Sequence, residues 1–214
     1  RYQGGGRPIY RLLIGEIPVA EEIYPLSGRH GETVGLELRG GTIKGIQIAA
    51  ASLSGLPGFS VHPPRFSSVP TADHPSLEIE SLPPLVVSRL PELREPADAA
   101  EKPVRAAAPV VFNGRIDPPG DEDRFVLAVA PGDRLNVRVE ASKLGSALDG
   151  VLQVLGNGGA AIASADDTTI TLPGLPPEQA NIAIPDPAVE VAVPDGTREI
   201  TLVLKDLQGR GGPG

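Results

Sequence analysis

Three histidines, His30, His62 and His74, are the residues best suited to acid–base chemistry in this sequence. A hydrolase would pair such a histidine with a nucleophile, but the chain has no Cys and no Gly-x-Ser-x-Gly motif. His30 falls in a predicted turn, and the other two each precede a proline in a predicted loop. No two of them have the spacing that brings histidines onto one metal ion. We therefore expect loop histidines and a protein that is not an enzyme.

Two further groups of residues are of the types found in active or phosphate-binding sites, but their predicted local structure does not suit such a site. Asp166 and Asp167 are adjacent, and neighbouring residues of a strand point to opposite faces, so we interpret them as turn and edge residues. The glycines Gly4–Gly6 precede a predicted strand instead of a helix N-terminus, so they predict a turn and not a phosphate-binding loop. No Walker or dinucleotide-binding motif occurs elsewhere.

The composition argues against two classes of partner. The formal charge is −8, and Lys and Arg are scattered, whereas a nucleic-acid binder needs a basic stripe to displace phosphate counterions. Only three Tyr, four Phe and no Trp are present, so platforms for stacking bases or sugars are disfavoured. No apolar run approaches the roughly 20 residues that span a bilayer. We expect neither nucleic-acid binding nor membrane insertion.

Alternation of apolar and polar residues predicts an all-β protein. It is clearest in three segments, Glu32–Leu38, Asp133–Glu140 and Arg198–Lys205, and Gly-, Pro- and Asn-rich turns separate the strands. Residues 91–108 are rich in Ala, Pro and charge, which predicts a linker, with at most one strand edge. We therefore predict two β-sandwich domains, at 16–90 and 109–214, with residues 1–15 as an additional terminal strand.

An internal repeat concerns the two ends of the chain. Gln3-Gly4-Gly5-Gly6-Arg7-Pro8 matches Gln208-Gly209-Arg210-Gly211-Gly212-Pro213, and only the first copy continues into a predicted strand. We therefore expect that the second domain lacks its last strand and that the N-terminal segment is such a strand without its domain. We hypothesise that it packs beside Arg198–Lys205, within one chain or between copies. An arbitrary chain end is the alternative. The residues of this donated strand are Pro8, Ile9, Tyr10, Arg11, Leu12, Leu13 and Ile14.

Residues 109–214 resemble the bacterial pre-peptidase C-terminal (PPC) domain, a β-sandwich of jelly-roll type. The matching segments, in order, are FNGRID at 112–117, PGDEDRF at 119–125, LGSALD at 144–149, ADD at 165–167, PDGT at 194–197 and DLQGRGGP at 206–213. Residues 16–90 resemble an immunoglobulin-like domain of the TIG type through IYPLSG at 23–28, GETV at 31–34 and LRG at 38–40.

The PPC resemblance implies a calcium site. Some members of that family bind calcium through an acidic segment leading into the domain and aspartates of its first turn. The corresponding residues here are Glu95 and Asp98, then Asp121 and Asp123, with Ala97 where the family has an asparagine ligand. Solvated turn carboxylates without a metal are the alternative, and we expect no other cofactor.

The two resemblances together imply a part of a larger exported bacterial protein. Such modules are typically secreted, periplasmic or displayed at the cell surface, and they serve as non-catalytic structural or interaction units. The absence of Met and the start at Arg1 lead us to expect a piece of a longer chain. The expected partners are other modules of the parent protein or further copies of this chain. The alternative is a substrate-targeting accessory domain of a secreted hydrolase.

Overall fold

The chain is built almost entirely from β-strands. The structure, a computed structural model, describes residues 12, 14, 19–41, 47–54, 58–62, 83–96, 102–171, 173–174, 176 and 181–211. Strands account for 51% of the described residues and helices for 4%, which confirms the predicted all-β class. Among the described residues, no helix has the length and apolar character needed to cross a bilayer.

The N-terminal half, residues 19–90, contains two three-stranded sheets. Its strands are β1 (Glu22–Tyr24), β2 (Ser27–Arg29), β3 (Thr33–Arg39), β4 (Gln47–Ser52), β5 (Gly58–His62) and β6 (Leu85–Ser88). One sheet has the order β1-β3-β4 and is antiparallel throughout. The other has the order β2-β6-β5, with β2 parallel to β6 and β5 antiparallel to it.

These two sheets share one buried cluster, the N-terminal core. Alternation along β3 buries Val34, Leu36 and Leu38, while Thr33 and Gly35 remain exposed. Leu85 and Val87 of β6 reach the same cluster from the second sheet. The alternation predicted for this segment is confirmed, because a strand with one buried face places every second side chain inward.

The described residues of the C-terminal half, 91–211, form eleven strands and two short 3-10 helices, Ser142–Leu144 and Asn157–Gly159. The strands are β7 (Glu92–Arg94), β8 (Val104–Ala107), β9 (Val111–Asn113), β10 (Glu122–Ala128), β11 (Arg134–Arg138), β12 (Gly150–Leu155), β13 (Ala161–Ala165), β14 (Thr168–Thr171), β15 (Asn181–Ile184), β16 (Ala188–Ala192) and β17 (Glu199–Asp206). The largest sheet has the order β13-β12-β17-β10-β8, and the strand pairs β7-β9, β11-β16 and β14-β15 complete the half.

A second buried cluster, the C-terminal core, lies on one face of the five-stranded sheet. It contains Phe125, Leu127, Leu152, Val154, Val191, Ile200 and Leu202. Phe112 of β9 stacks on Phe125 with ring centroids 4.5 Å apart, and Leu135 and Val137 of β11 also pack against the cluster. Two separate strand pairs, β7-β9 and β11-β16, therefore cover this face.

The segment predicted to be a linker contributes two strands to the fold. Strand β7 pairs in parallel with β9, and β8 pairs in parallel with β10 at the edge of the five-stranded sheet. Its Ala- and Pro-rich composition gave little sign of burial, and the side chains of β8 are indeed only exposed or half-buried. These strands are held through their backbone hydrogen bonds, which composition does not reveal.

The position expected for the donated strand is occupied. Strand β17 lies in the middle of its sheet, paired with β10 along one edge and with β12 along the other. The hypothesis that residues 8–14 pack beside Arg198–Lys205 is therefore wrong, because neither edge of β17 is open. Of that segment, Leu12 and Ile14 are described, and Pro8, Ile9, Tyr10, Arg11 and Leu13 lie outside the described residues.

Candidate functional site at the junction of the two cores

Strands β7 and β9 bring the acidic residues of the predicted site to the junction between the two cores. Pairing of Arg94 with Asn113 places Glu95 beside the first residues that follow β9. The Glu95 amide donates to the carbonyl oxygen of Asn113 at 2.8 Å. Because both strands are fixed by backbone bonds, the position of the Glu95 side chain is set by the fold.

A network of buried polar groups centres on Asn113. Its side-chain oxygen accepts a hydrogen bond from the Ser27 amide at 3.1 Å, and its Nδ2 donates to Glu92 Oε2 at 2.9 Å. Glu92 also accepts from the hydroxyls of Ser27, at 2.6 Å, and Ser88, at 2.8 Å. Asn113 and Ser27 are both 7% exposed, so each lost bond would leave a buried polar group without a partner. We call these four residues the polar seam.

An arginine extends the contact between the two halves. The guanidinium of Arg115 lies over the ring of Tyr24, and its Nη2 is 2.6 Å from Glu37 Oε2. The Tyr24 hydroxyl donates to the Asn113 carbonyl oxygen at 3.0 Å. Burial raises the pKa of Tyr24, although Arg115 acts in the opposite direction. Arg115 thus binds both a charged and an aromatic residue of the N-terminal half.

Glu95, which follows β7, and Asp123 of β10 form a carboxyl pair next to the seam. Their side chains are hydrogen bonded to each other, and Glu95 Oε2 also accepts from the Arg115 amide at 3.0 Å. Asp123 is only 2% exposed, and its Oδ1 has no hydrogen-bond partner. A Cβ at Gly114 would lie 2.6 Å from Asp123 Oδ2, so this close approach requires glycine at position 114.

The environment of Asp123 favours the protonated form of its side chain. Burial, followed by the charge and hydrogen bond of Glu95, raises the pKa of Asp123 to about 9. The charges of Asp121 and Asp117 contribute in the same direction. Burial and the neighbouring negative charge both disfavour the ionised form of Asp123, and each therefore raises its pKa.

Glu95, Asp121 and Asp123 do not form a complete coordination sphere for calcium. Both oxygens of Asp121 accept backbone hydrogen bonds, from the amides of Asp117 at 3.0 Å and Glu122 at 2.9 Å. Asp98 lies outside the described residues. Within the described ranges, no three His, Cys, Asp or Glu side chains group as metal ligands do. Calcium takes six to eight oxygens, and the pair with its unpartnered Oδ1 supplies only part of that number.

The other sequence-predicted positions are dispersed. The His30 side chain is exposed in the turn after β2, and only its backbone amide bonds to the seam, donating to the carbonyl oxygen of Ser88 at 2.7 Å. Asp166 and Asp167 are exposed between β13 and β14, where Asp166 Oδ1 accepts the Asp167 amide at 2.8 Å. They form a turn, as predicted, and they do not approach the carboxyl pair in any described contact.

Asp206 is a structural carboxylate that the sequence analysis did not single out. It is buried, and it accepts hydrogen bonds from the amides of Asp149, Gln208 and Arg210 at 3.2, 3.0 and 2.9 Å. Burial alone would raise the pKa of Asp206, but these amides and the charge of Arg210 together lower it. The position of Asp206 just before the Gln-Gly-Arg turn could have predicted this role, because Asp side chains at turns commonly accept hydrogen bonds from nearby backbone amides.

Comparison with known proteins does not assign the chain to a family. Neither a family model, nor a curated protein, nor a solved structure matches it.

Proposed function

We propose that this chain is a non-catalytic structural unit, in which two β-sandwich domains of TIG-like and PPC-like type are locked together by the polar seam and Arg115. The unit would act as a firm connector within a larger exported bacterial protein. The observation that carries this proposal is the continuity of bonding across the junction. It includes buried hydrogen bonds that involve side chains, an ion pair and a cation–π contact.

The seam has the properties of an interior rather than of a flexible hinge. Ser27 and Asn113 are buried as deeply as core residues, and all the hydrogen bonds they make join residues far apart in sequence. Arg115 and Glu37 are 28% and 31% exposed, so their pairing is screened less than that of a surface ion pair. Contacts of this kind oppose relative motion of two domains.

The tumbling of the two halves in solution tests the connector role. Backbone ¹⁵N relaxation reports a rotational correlation time separately for each half, and we expect a single shared value. The variant Asn113→Ala/Arg115→Ala should give two shorter values, because it removes the seam and the contact with Tyr24 and Glu37. The matched control is Asn136→Ala/Arg134→Ala on β11, where both side chains are exposed. Independent tumbling of the unaltered chain would contradict the proposal.

A binding assay separates this role from that of a substrate-targeting accessory domain. The connector role predicts that the chain does not sediment with insoluble polysaccharide or fibrous protein. Saturable binding to one of these materials, retained in the seam variant, would support the accessory role instead.

A further inference from the structure

We propose that the outer edge of β11 accepts residues 8–14 of a second copy of this chain as an added β-strand. The inference rests on the proposed structural role and names its partner. This acceptor edge takes the place of the one predicted beside β17, where both edges are already paired with β10 and β12.

The outer edge of β11 has no partner strand within the part of the chain that the structure describes. Among the described residues β11 pairs only with β16. The amide of Val139 bonds toward that partner at Pro187, and the carbonyl of Asp133 accepts from Val193 on the same side. Since backbone groups alternate in direction along a strand, those of Arg134, Asn136 and Arg138 face the opposite edge. Such an edge is a template for another strand.

The apolar layer beneath this edge is incompletely covered. Leu135 and Val137 pack against the C-terminal core but are only half-buried, as is Phe112 of β9. Strands β9 and β11 both lie over this core, yet no pairing between them occurs in the described part of the chain. A groove of about 450 Å³ also runs along β11 and β16, lined by Arg134, Leu135, Asn136, Glu190, Val191 and Ala192. An added strand with apolar side chains would cover Leu135 and Val137.

The N-terminal segment carries the complementary surface. Leu12 is 71% exposed and Ile14 is 87% exposed, the two highest values among the exposed large hydrophobic residues of the described chain. Residues two apart in an extended segment lie on one face, so Leu12 and Ile14 would form an apolar stripe when the segment pairs as a strand. Burying two such side chains favours association, because it removes apolar surface from water.

The repeat at the two chain ends indicates where the strand belongs. After β17, the second copy of the repeat leads the chain to Gly211, where a Cβ would lie 2.6 Å from the carbonyl oxygen of Pro118 and 2.8 Å from that of Ile116. Ile116 and Pro118 lie in the connection between β9 and β10. The segment after β17 is therefore directed toward the region where β9 and β11 cover the core without pairing with each other. Leu12 and Ile14 of the same chain are exposed instead of covering that layer, which is why the occupant we assign is a second copy.

Sedimentation equilibrium of matched variants tests the site. Because the donor and acceptor surfaces differ, association should be head-to-tail and should continue beyond the dimer as concentration rises. Asn136→Pro removes an amide from the outer edge only, where proline is tolerated, and should lower the association constant at least tenfold. Asn136→Ala keeps that amide and should associate as the unaltered chain does. Circular dichroism and the thermal midpoint establish that both variants fold.

The donor surface is tested in the same way. Leu12→Asn/Ile14→Asn should weaken association at least tenfold, while Leu207→Asn, which alters an exposed leucine elsewhere, should not. A synthetic peptide of residues 7–15 should bind a chain that lacks residues 1–14, and should fail to bind that chain carrying Asn136→Pro.

Two outcomes would overturn the inference. One is a monomer at all concentrations up to about 1 mM, where an association free energy of ~4 kcal/mol would still be detected. The other is association that survives both Asn136→Pro and Leu12→Asn/Ile14→Asn. Failure of the connector role is distinguished by the relaxation experiment, since a chain with independently tumbling halves can still add a strand at β11.

Discussion

The guanidinium carbon of Arg115 lies 3.7 Å from the centroid of the Tyr24 ring, and this contact joins the two halves of the molecule. The arginine comes from the segment after β9, and the tyrosine ends β1. The ring presents its negative face to the cation, while Glu37 holds another part of the same guanidinium. Arg115 is therefore fixed on two sides by the N-terminal half.

A double-mutant cycle on Tyr24 and Arg115 should detect this coupling. Using Tyr24→Leu and Arg115→Met, we expect a coupling free energy of about 1 kcal/mol in urea unfolding, because the partly desolvated pair is stronger than an exposed one. The control cycle uses Arg105 and Glu199, an ion pair whose side chains are 63% and 59% exposed. That pair should couple by no more than about 0.5 kcal/mol. Equal coupling in the two cycles would contradict the assignment.

Asn113→Ala should destabilise the protein by about 2–3 kcal/mol. The substitution removes the acceptor of the Ser27 amide and the donor to Glu92, which leaves buried polar groups unpaired. Urea unfolding monitored by circular dichroism measures the change, with Asn136→Ala on the exposed face of β11 as the control. A cost below about 0.5 kcal/mol would show that the seam contributes little to stability.

The carboxyl pair should make the protein less stable as pH rises. The folded-state pKa of Asp123 is raised from 3.8 to about 9, so between these values the folded state holds a proton that the unfolded state has lost. The unfolded state therefore binds fewer protons, and the free energy of unfolding falls with increasing pH by about 1.4 kcal/mol per unit from this group. Asp123→Asn cannot ionise and should remove that slope.

The slope is measured by urea unfolding at intervals from pH 5 to pH 8.5. Asp167→Asn, an exposed turn substitution, serves as the control and should keep the slope of the unaltered chain. If Asp123→Asn retains the full slope, Asp123 is already ionised at neutral pH and the pair does not share a proton.

The predicted calcium site leads to a separate test. A calcium ion would compete with a proton for Asp123. We therefore expect calcium to raise Tm more at pH 9 than at pH 6. A concentration of about 5 mM is on the order of the dissociation constant of a weak extracellular site, or above it. Asp98→Ala should abolish the rise, since the described residues supply too few oxygens without it. An unchanged Tm at pH 9, or a rise that persists in Asp123→Asn, would reject the site.

The elements of this fold that follow from local patterns were predictable. Alternation along 32–38 correctly placed Val34, Leu36 and Leu38 in the core. Alternation along 198–205 correctly placed Ile200 and Leu202 in the C-terminal core, but Leu204 is only half-buried and Val203 on the opposite face is buried as well. The period of two follows from strand geometry and needs no knowledge of the partner strand. Pairing depends on distant residues, so the position of β17 between two neighbours was not visible in its own sequence.

The candidate site was only partly predictable for the same reason. Glu95 and Asp123 were expected to converge through a family resemblance, and they do lie in contact. The seam was missed, because Glu92 and Asn113 lie 65 and 86 residues beyond Ser27 along the chain, and the motifs that contain Ser27 and Asn113 do not indicate that these two residues meet. Their burial arises from the contact between the two halves.

Asp206→Asn should destabilise the C-terminal half by about 1–3 kcal/mol at pH 7. The side-chain oxygens of Asp206 accept three backbone amides, and an asparagine would present an NH₂ group to at least one of them. The pKa of Asp206 is lowered in the folded state, so its contribution is present above the unfolded pKa of 3.8 and is lost as pH falls through the folded value. The difference between the variant and the unaltered chain should therefore shrink in acid. Urea unfolding at pH 7 and at pH 3 measures the free energy of unfolding of the variant and of the unaltered chain, with Asp167→Asn as the control. If the difference between them is the same at both pH values, the three amides do not stabilise the charge of Asp206.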